Sequence, residues 1–544
     1  MTTPALLWHT IRHLSPVQVT ARARFRLTRP PIDERPAPPF RQPVGRWIEP
    51  AGRSPSMTGP DSFRFLNREA SLAAHGWDDP ALPHLWRYNL HYFDNLAARP
   101  SPWHPTLIAR WIAENPAGRG TGWEPYPLSL RTVNWIKWML GGEPLDETAR
   151  HSLAVQARWL RGRIEHHLLG NHLIANAKAL LFLGAAFAGP EAETWLHAGA
   201  ALLLRELGEQ VLPDGGHCER SPMYHALVLE DLLDIFNLLR TFSLAPHVQA
   251  ACRETIPPML RWLGTMTHPD GGIAFFNDAA FAIAPDCRTL QSLAARLGIP
   301  TPESPATHHF LDSGYARLSA GPATLFLDMA PLGPDHLCGH GHADTLSFEL
   351  SLGSARVLVN GGTGEYGTGP ERHRQRGTKA HNTLALDGEN SSETWSGFRT
   401  ARRARIREAT LDHSGDTLTA QATHDGYSRL QGRPLHTRRW TLNSRELLVE
   451  DRVSGPPRAQ AIARFRFHPA LTLQTSAGEG TAHLAGRQIL RWQVESGEAA
   501  IESSLWHPEF GLSQPTQTLA VRAHDNCAAT RFTFAEALSC TSSF

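Results

Sequence analysis

HGHADTLSFELSLGSARVLVNGGTGEYGTGPERHRQRGTKAHNT, residues 340–383, decides how the rest of the chain is read. A His-x-His pair (His340, His342) opens it. Leu346, Phe348, Leu350 and Leu352 then recur with the period of a strand. A Gly-rich turn carrying Tyr366 follows, then a basic run (Arg372, His373, Arg374, Arg376, Lys379), and finally His381. Imidazoles grouped at strand ends and turns can bind a metal or move protons. With 29 His in the chain, any single one is more simply a loop or surface residue, so the grouping carries the signal. Inside the basic run an anionic ligand is the better reading. The second basic run, Arg399, Arg402, Arg403, Arg405 and Arg407, reads as a solvated strand face.

The strand pattern extends on both sides of this segment. After about residue 305, TLFLDMA, SFELSL, ARVLVN, RRWTLNSRELLVEDRV and ARFRFHP alternate with period 2 between turn residues, which reads as antiparallel stacked sheets. From about residue 80 to 300 the period is helical. Leu130, Val133, Ile136 and Leu140 form one stripe, Trp159 to Phe187 another, and Leu229, Leu232, Leu233, Phe236 and Leu239 a third. LPDGGH (212–217) is echoed by HPDGGI (268–273) at an offset of 56 residues, the length of two helices with their loops. That spacing suggests recurring helical hairpins. Residues 29–60 are rich in Pro and Gly and read as extended chain, and the helix-like stretch before them reads as a separate small unit. The expected organisation is an N-terminal extension (1–60), a helical domain (61–304) and a β domain (305–544), with a ligand cleft between the last two.

Composition narrows the function classes. A chain of 544 residues exceeds one ordinary core. Its 41% apolar and 19% charged content fits a globular protein, and a net charge of +1 gives no global field for nucleic acid. Cys218, Cys252, Cys287, Cys338, Cys527 and Cys540 show no CxxC spacing and read as buried thiols. No run of about 18 apolar residues suggests a transmembrane span. MTTPALLWHTIRHLSPVQVTARARFRL shows no secretory signal pattern.

Three motifs in the helical half carry polar groups. GNHLIAN places Asn171 and His172 at a helix start just after Gly170, with Asn176 on the same face. The plain alternative is an N-cap with a satisfied core amide. DGGHCERSPMYH places Glu219, Tyr224 and His225 at a helix entry, with Ser221 as N-cap and Pro222 at the first helical position. GWEPYPLSLRTVNWIKW carries Trp123 and Tyr126, which suit a sugar-binding wall or ordinary packing.

In their order along the chain, GNHLIAN, ERSPMYH, HGHADTLSFEL, NGGTGEYG and RGTKAHNT resemble the heparinase II/III-like polysaccharide lyases, over roughly residues 80–470. The resemblance implies an α+β multidomain fold, an incomplete (α/α) toroid followed by an antiparallel β-sandwich. It implies a lyase that cleaves an anionic, uronic-acid-containing polysaccharide by β-elimination. Asn171 and His172 match residues that bind the uronate carboxylate, Tyr224 the catalytic tyrosine, His340 a catalytic histidine and Tyr366 a second active-site tyrosine. Glu219, Arg372, Arg376, Trp123 and Tyr126 are the candidate substrate contacts. His342 and His381 match ligands of a structural zinc ion, but the family's aspartate ligand is replaced by Asn360. A neutral amide is a poorer zinc ligand, so Asp344 or water would have to complete the site. The family implies the periplasm or cell envelope; with no signal pattern visible, the cytoplasm stays open as an alternative, beside export by another route or a misassigned start.

Elimination removes the weakly acidic C-5 proton of a uronate and expels the group on O-4. Donors to the carboxylate stabilise the enolate-like intermediate, each worth on the order of 3 kcal/mol. A phenol near its usual pKa of about 10 is protonated at neutral pH. Either neighbours such as His340, Arg372 or Arg376 turn Tyr224 into the base, or His340 is the base and Tyr224 the acid. Both assignments stay open in the sequence. Two other functions compete. One is a non-catalytic glycan-binding or assembly protein of an exopolysaccharide system. The other is a glycoside hydrolase, which needs two facing carboxylates from among Glu219, Asp214, Glu230 and Asp278.

Overall fold

Proline sets where many of the helices begin. In the computed structural model, which describes residues 3–98, 100–458 and 460–535, Pro125, Pro190, Pro222 and Pro246 each stand in the first turn of a helix. The ring pre-sets φ and lacks only an N–H that the first turn cannot use. The long helices between residues 84 and 296 are His84–Tyr92, Trp103–Glu114, Pro125–Leu140, Glu147–Arg161, Asn171–Ala186, Pro190–Gln210, Pro222–Phe242, Pro246–Thr265 and Cys287–Arg296. Asn171–Ala186 is buried along nearly its whole length, and this is why it is apolar all round rather than striped. It packs against Pro125–Leu140, Pro190–Gln210 and Pro222–Phe242. Gly184 permits the closest approach, since a Cβ there would stand 2.4 Å from the backbone nitrogen of Leu196.

The echoed Asp-Gly-Gly segments are the same turn built twice. Val211 bridges His217 and Thr267 bridges Ile273. Asp214 Oδ1 accepts the Gly216 N–H at 2.9 Å, and Asp270 Oδ1 accepts the Gly272 N–H at 2.8 Å. The other oxygen of each carboxylate reaches the strand-rich half. Asp214 Oδ2 accepts the Ser313 N–H at 2.6 Å, and Asp270 Oδ2 accepts from Arg356 Nε at 2.6 Å. The two turns therefore close helices and clamp the two halves together.

From His308 onward the described residues form three large antiparallel sheets, of five, eight and four strands, and a two-stranded ribbon that pairs Thr394–Trp395 with Arg399–Thr400. Their apolar faces share one core, with Leu325 and Leu350 from the first, Trp440, Val449 and Phe532 from the second, and Phe465 and Leu519 from the third. His436–Leu442 alternates buried with more exposed positions, as period 2 requires. Phe348–Leu352 is buried on both faces. Its polar face meets the helical half: Glu349 Oε2 lies 2.9 Å from His268 Nε2 and accepts the Phe275 N–H at 2.9 Å.

The N-terminal stretch corrects the expectation of a separate unit. It forms α1 (Pro4–Ile11) and α2 (Pro16–Leu27), and both dock on the rest of the chain. Trp395 Nε1 donates to Thr10 Oγ1 at 3.0 Å, and Gln18 Nε2 donates to the His336 carbonyl at 2.9 Å. At the far end Arg163 lies 3.4 Å over the Phe25 ring and donates to the Phe25 and Thr28 carbonyls. The hairpin thus spans from the strand-rich half to the helical half. Among the described residues the five cysteines are free thiols, and no helix is long and apolar enough to cross a membrane. Cys540 lies outside the described residues.

Candidate active site

Tyr224 is delivered by a helix cap. Ser221 Oγ accepts the Tyr224 N–H at 3.2 Å while Pro222 fills the first helical position. The same hydroxyl donates to the Asp278 carbonyl at 2.5 Å, tying the cap to the next segment. The Tyr224 ring lies against the His340 ring at a centroid distance of 3.9 Å, and its hydroxyl is 2.9 Å from that of Tyr366. Residues from the helical half and from the strand-rich half therefore meet at one point. Burial pushes both phenols well above their usual pKa, and the neighbouring phenol and Asp278 add to the rise at Tyr224. Both hydroxyls keep their protons at neutral pH.

Asp278 organises the histidines. Its Oδ2 is 2.9 Å from His340 Nδ1, its Oδ1 is 2.8 Å from His342 Nε2, and Arg372 grips both oxygens, with Nη2 at 2.7 Å. Burial alone would raise this carboxyl, but Arg372 and the two imidazoles hold it well below its usual range. Asp278 is therefore an ionised acceptor that keeps the proton of His340 on Nδ1. The sequence offered it only as a hydrolase candidate. The usable signal was its setting, an Asn-Asp pair inside the apolar run IAFFNDAAFAI, where a buried carboxylate requires a partner.

Glu219 lies on the other side of the imidazole. Its Oε1 accepts from the backbone and side-chain N–H groups of Asn171 at 2.8 and 3.0 Å, and its Oε2 is 3.4 Å from His340 Nε2. Burial raises its pKa, but His340, His217 and the Asn171 donors outweigh that and lower it. Gly170 makes the contact possible: its φ is +59°, and a Cβ there would stand 2.4 Å from Glu219 Oε1. Gly170→Ala is expected to cost more than about 1 kcal/mol in chemical denaturation, through backbone strain and displacement of Glu219. Three non-glycine residues beside the site also have left-handed backbone, Leu169 (φ 65°), Arg220 (55°) and Asn277 (57°). Such strain collects where side chains must be aimed.

His172 stands next to a buried carboxylate. Burial lowers its pKa, but Glu165, whose Oε2 is 3.2 Å from Nδ1, more than reverses this, and the net shift is upward. Its ring lies 4.5 Å from that of Tyr126. Beyond it Lys178 pairs with Asp231 at 2.8 Å and with Asp234 at 2.6 Å, and Lys137 pairs with Asp234 at 2.9 Å. The sequence reading passed over this charged wall, although a lysine inside a buried apolar helix was its visible sign.

These groups line a cleft of about 1610 Å³ formed by both halves of the chain. Tyr126, Asn171, His172, Glu219, Tyr224, His340 and Tyr366 all face it. Three substrate-contact expectations are corrected. Trp123 is in the core, 5% exposed, against Trp111 and Trp159. Arg372 and Arg376 are fully buried. The anion of Arg372 is Asp278, and Arg376 donates to the Gly341 carbonyl at 3.1 and 2.8 Å, holding the loop between His340 and His342. The second basic run is also not a bare strand face, because Arg402, Arg403, Arg405 and Arg407 each pair with a carboxylate.

The residues expected to hold zinc do not fit it. Asn360 commits its amide to the fold: Nδ2 donates to the Phe275 carbonyl and Ser347 Oγ, and Oδ1 accepts the Asn382 N–H. His342 Nε2–H donates to Asp278, which leaves its Nδ1 to accept from His381 Nε2–H at 3.3 Å. That proton arrangement consumes the lone pair a metal would need. Asp344 accepts the Asn277 N–H instead of completing a site, and no group of three or more His, Cys, Asp or Glu among the described residues is placed to hold a metal ion.

Acid should unfold this protein early. Burial, as the largest cause, drives His91 and His225 down to about 3 and His268 and His342 down to about 4. In the unfolded chain each takes a proton near pH 6.5, whereas in the fold it resists, so the unfolded state binds more protons between those values. Stability is full above pH 6.5 and is lost as the pH falls toward 4, by about 1.4 kcal/mol per group and unit. Thermal scans should show the midpoint dropping steadily from pH 7 to 5, and a flat midpoint would refute this.

Comparison with known proteins places these observations in a family. The family model "Heparinase II/III-like, C-terminal" matches residues 302–535, and "Heparinase II/III N-terminus" matches residues 148–290. A heparin-sulfate lyase of Bacteroides stercoris is 24% identical over 244 residues, covering 41% of this chain and 37% of that protein. A heparin-sulfate lyase of Pedobacter heparinus is 25% identical over 316 residues, covering 53% and 44%. The matches therefore span less than half the length of these two lyases. A Caulobacter vibrioides protein named FtsZ-localized protein C is 24% identical over 409 residues, covering 71% of this chain and 68% of that protein. Among solved structures, heparinase III superposes with a TM-score of 0.70 at 16% identity, over 98% of this chain and 86% of that one. Heparan sulfate lyase from Pedobacter heparinus gives 0.58 at 16% identity, over 95% and 87%. At these identities the structures speak for the fold.

Proposed function

We propose that this chain, which belongs to the heparinase II/III-like family, is a polysaccharide lyase that cleaves an anionic, uronic-acid-containing glycan by β-elimination. The helical array is read as an incomplete (α/α) toroid and the stacked sheets as a β-sandwich. The observation that carries the reading is the 3.9 Å contact between the rings of Tyr224 and His340 inside a cleft walled by both halves.

The chemistry follows from the proton inventory. Both phenols hold their protons, so neither begins as a base. His340, with Nδ1–H directed at Asp278, offers Nε2 to the C-5 proton. As that C–H bond breaks, the C-4–C-5 double bond forms, the C-4–O-4 bond breaks, and the Tyr224 hydroxyl gives its proton to O-4. Tyr366, 2.9 Å away, resupplies Tyr224. The imidazolium formed sits between two carboxylates, Asp278 and Glu219. His172, whose pKa Glu165 raises, faces the cleft as the donor to the uronate carboxylate. Asn171 acts through Glu219, which already occupies its amide.

A glycoside hydrolase needs one protonated and one ionised carboxyl facing the scissile bond. Asp278 and Glu219 are both held ionised, and Asp278 is fully buried behind His340. The non-catalytic alternative draws on the similarity to FtsZ-localized protein C, which reaches over more of this chain than the two lyase matches. One experiment separates the three readings: incubation with alginate, heparan sulfate, hyaluronan and bacterial exopolysaccharides, following ultraviolet absorbance of unsaturated ends. A lyase produces absorbance, a hydrolase produces reducing ends without it, and a binding protein produces neither. Dialysis against EDTA is expected to leave both the rate and the thermal midpoint unchanged. A loss restored by zinc would overturn the metal-free reading of His342 and His381.

A further inference from the structure

The cleft mouth contains basic side chains that the chemistry above does not use. Six arginines outside the reacting centre help to line the cleft and can be compared directly: Arg22, Arg26, Arg399, Arg53, Arg64 and Arg403. Arg64 is paired with Glu69 at 3.1 Å. Arg53 is neutralised by Glu230 at 2.6 Å, and Arg403 is held near Asp335 at 3.8 Å. Arg22, Arg26 and Arg399 have no carboxylate within ion-pair distance among the described residues. Arg22 and Arg26 are four residues apart on α2, so they share its cleft-facing side. Arg399 stands across from them, its guanidinium 5.1 Å over the ring of Trp395, the residue that anchors α1. Partial burial, then Arg399 and Arg26, depress the pKa of Arg22, so the three charges oppose one another in the free protein. Bringing like charges together costs free energy unless an anion arrives between them. The hairpin that carries two of them is pinned at both ends, so the cluster is held in place over the cleft.

We infer that Arg22, Arg26 and Arg399 form an anion subsite in the cleft mouth, which takes the carboxylate or sulfate groups of sugar units beyond the one undergoing elimination. As a subsite it rests on the lyase reading, and it makes the preferred substrate a polyanionic chain rather than a single uronate. The test is binding, which requires no turnover. Labelled alginate (carboxylates only), heparan sulfate (carboxylates and sulfates) and neutral dextran are titrated by fluorescence polarisation at several salt concentrations. The protein carries Tyr224→Phe so that cutting is negligible over the titration. Adding R22Q/R26Q is expected to weaken binding of an acidic polymer about tenfold at low salt and to flatten its salt dependence. R22K/R26K should retain most of the affinity, and thermal midpoints should stay level. Loss with heparan sulfate alone assigns the subsite to sulfate, and loss with both polymers assigns it to carboxylate as well. Equal binding by the glutamine variant, or no binding of either acidic polymer before the arginines are changed, overturns the inference. If the arginine variant weakens binding while the unmodified protein yields no unsaturated product, the subsite stands and the lyase reading fails.

Discussion

Tyr224→Phe is expected to lower the rate of unsaturated-product formation by about 10²- to 10⁴-fold, the usual contribution of a positioned proton donor. The ring, and with it the contact with the His340 ring, is retained, and only the hydroxyl facing Tyr366 is lost. The substrate should still dock on His172 and the cleft wall, so KM should move only a few-fold. The thermal midpoint should hardly change, because one phenol–phenol hydrogen bond is worth about 1 kcal/mol. A variant with a near wild-type rate on a verified substrate would remove Tyr224 from the mechanism. A variant with a collapsed midpoint would show that the hydroxyl serves the fold instead. Tyr366→Phe should have a smaller effect, since in this scheme it returns a proton rather than giving it to O-4.

Asp278→Asn should have the largest combined effect on stability and rate. The substitution preserves shape but leaves the buried guanidinium of Arg372 without its anion. Breaking a buried ion pair by removing one partner costs about 3–5 kcal/mol. It also removes the acceptor that keeps the His340 proton on Nδ1, and a misassigned imidazole tautomer costs on the order of 10⁴ in rate in comparable dyads. Removing the second charge separates these effects. Asp278→Asn combined with Arg372→Gln should recover much of the stability, because no uncompensated charge remains, while the rate stays low. Recovery of both would reduce Asp278 to a structural counter-ion. Recovery of neither would locate its role in packing.

Much of the fold was legible in periodicity. The switch from a 3.6-residue to a 2-residue apolar period falls between the last long helix, ending at Arg296, and the strand at His308 that opens the strand-rich half. The Ser221-Pro222 cap was readable because its hydrogen bond is local, made three residues ahead. The echoed Asp-Gly-Gly turn was visible for the same reason. The positions of Tyr224, His340 and Tyr366 came from a resemblance, and no spacing rule would have joined residues 142 positions apart. The misreadings share a cause. Arg372 and Arg376 look like ligand-binding cations in a local basic run, and Trp123 looks like a sugar platform. Whether a charge meets substrate or a buried carboxylate depends on a partner 94 residues away, which no local pattern reveals.

By itself the order of residues determined the local elements: where helices start, where strands alternate, and which segments turn. Those outcomes depend on backbone geometry and on neighbours a few residues apart. Only the tertiary structure decided that Asp278 lies between two histidines and an arginine, that Glu219 occupies the amide of Asn171, and that α2 lies over the cleft. These are long-range pairings of buried charge, selected because an ionised group deprived of water must find its counterpart wherever the fold brings one near.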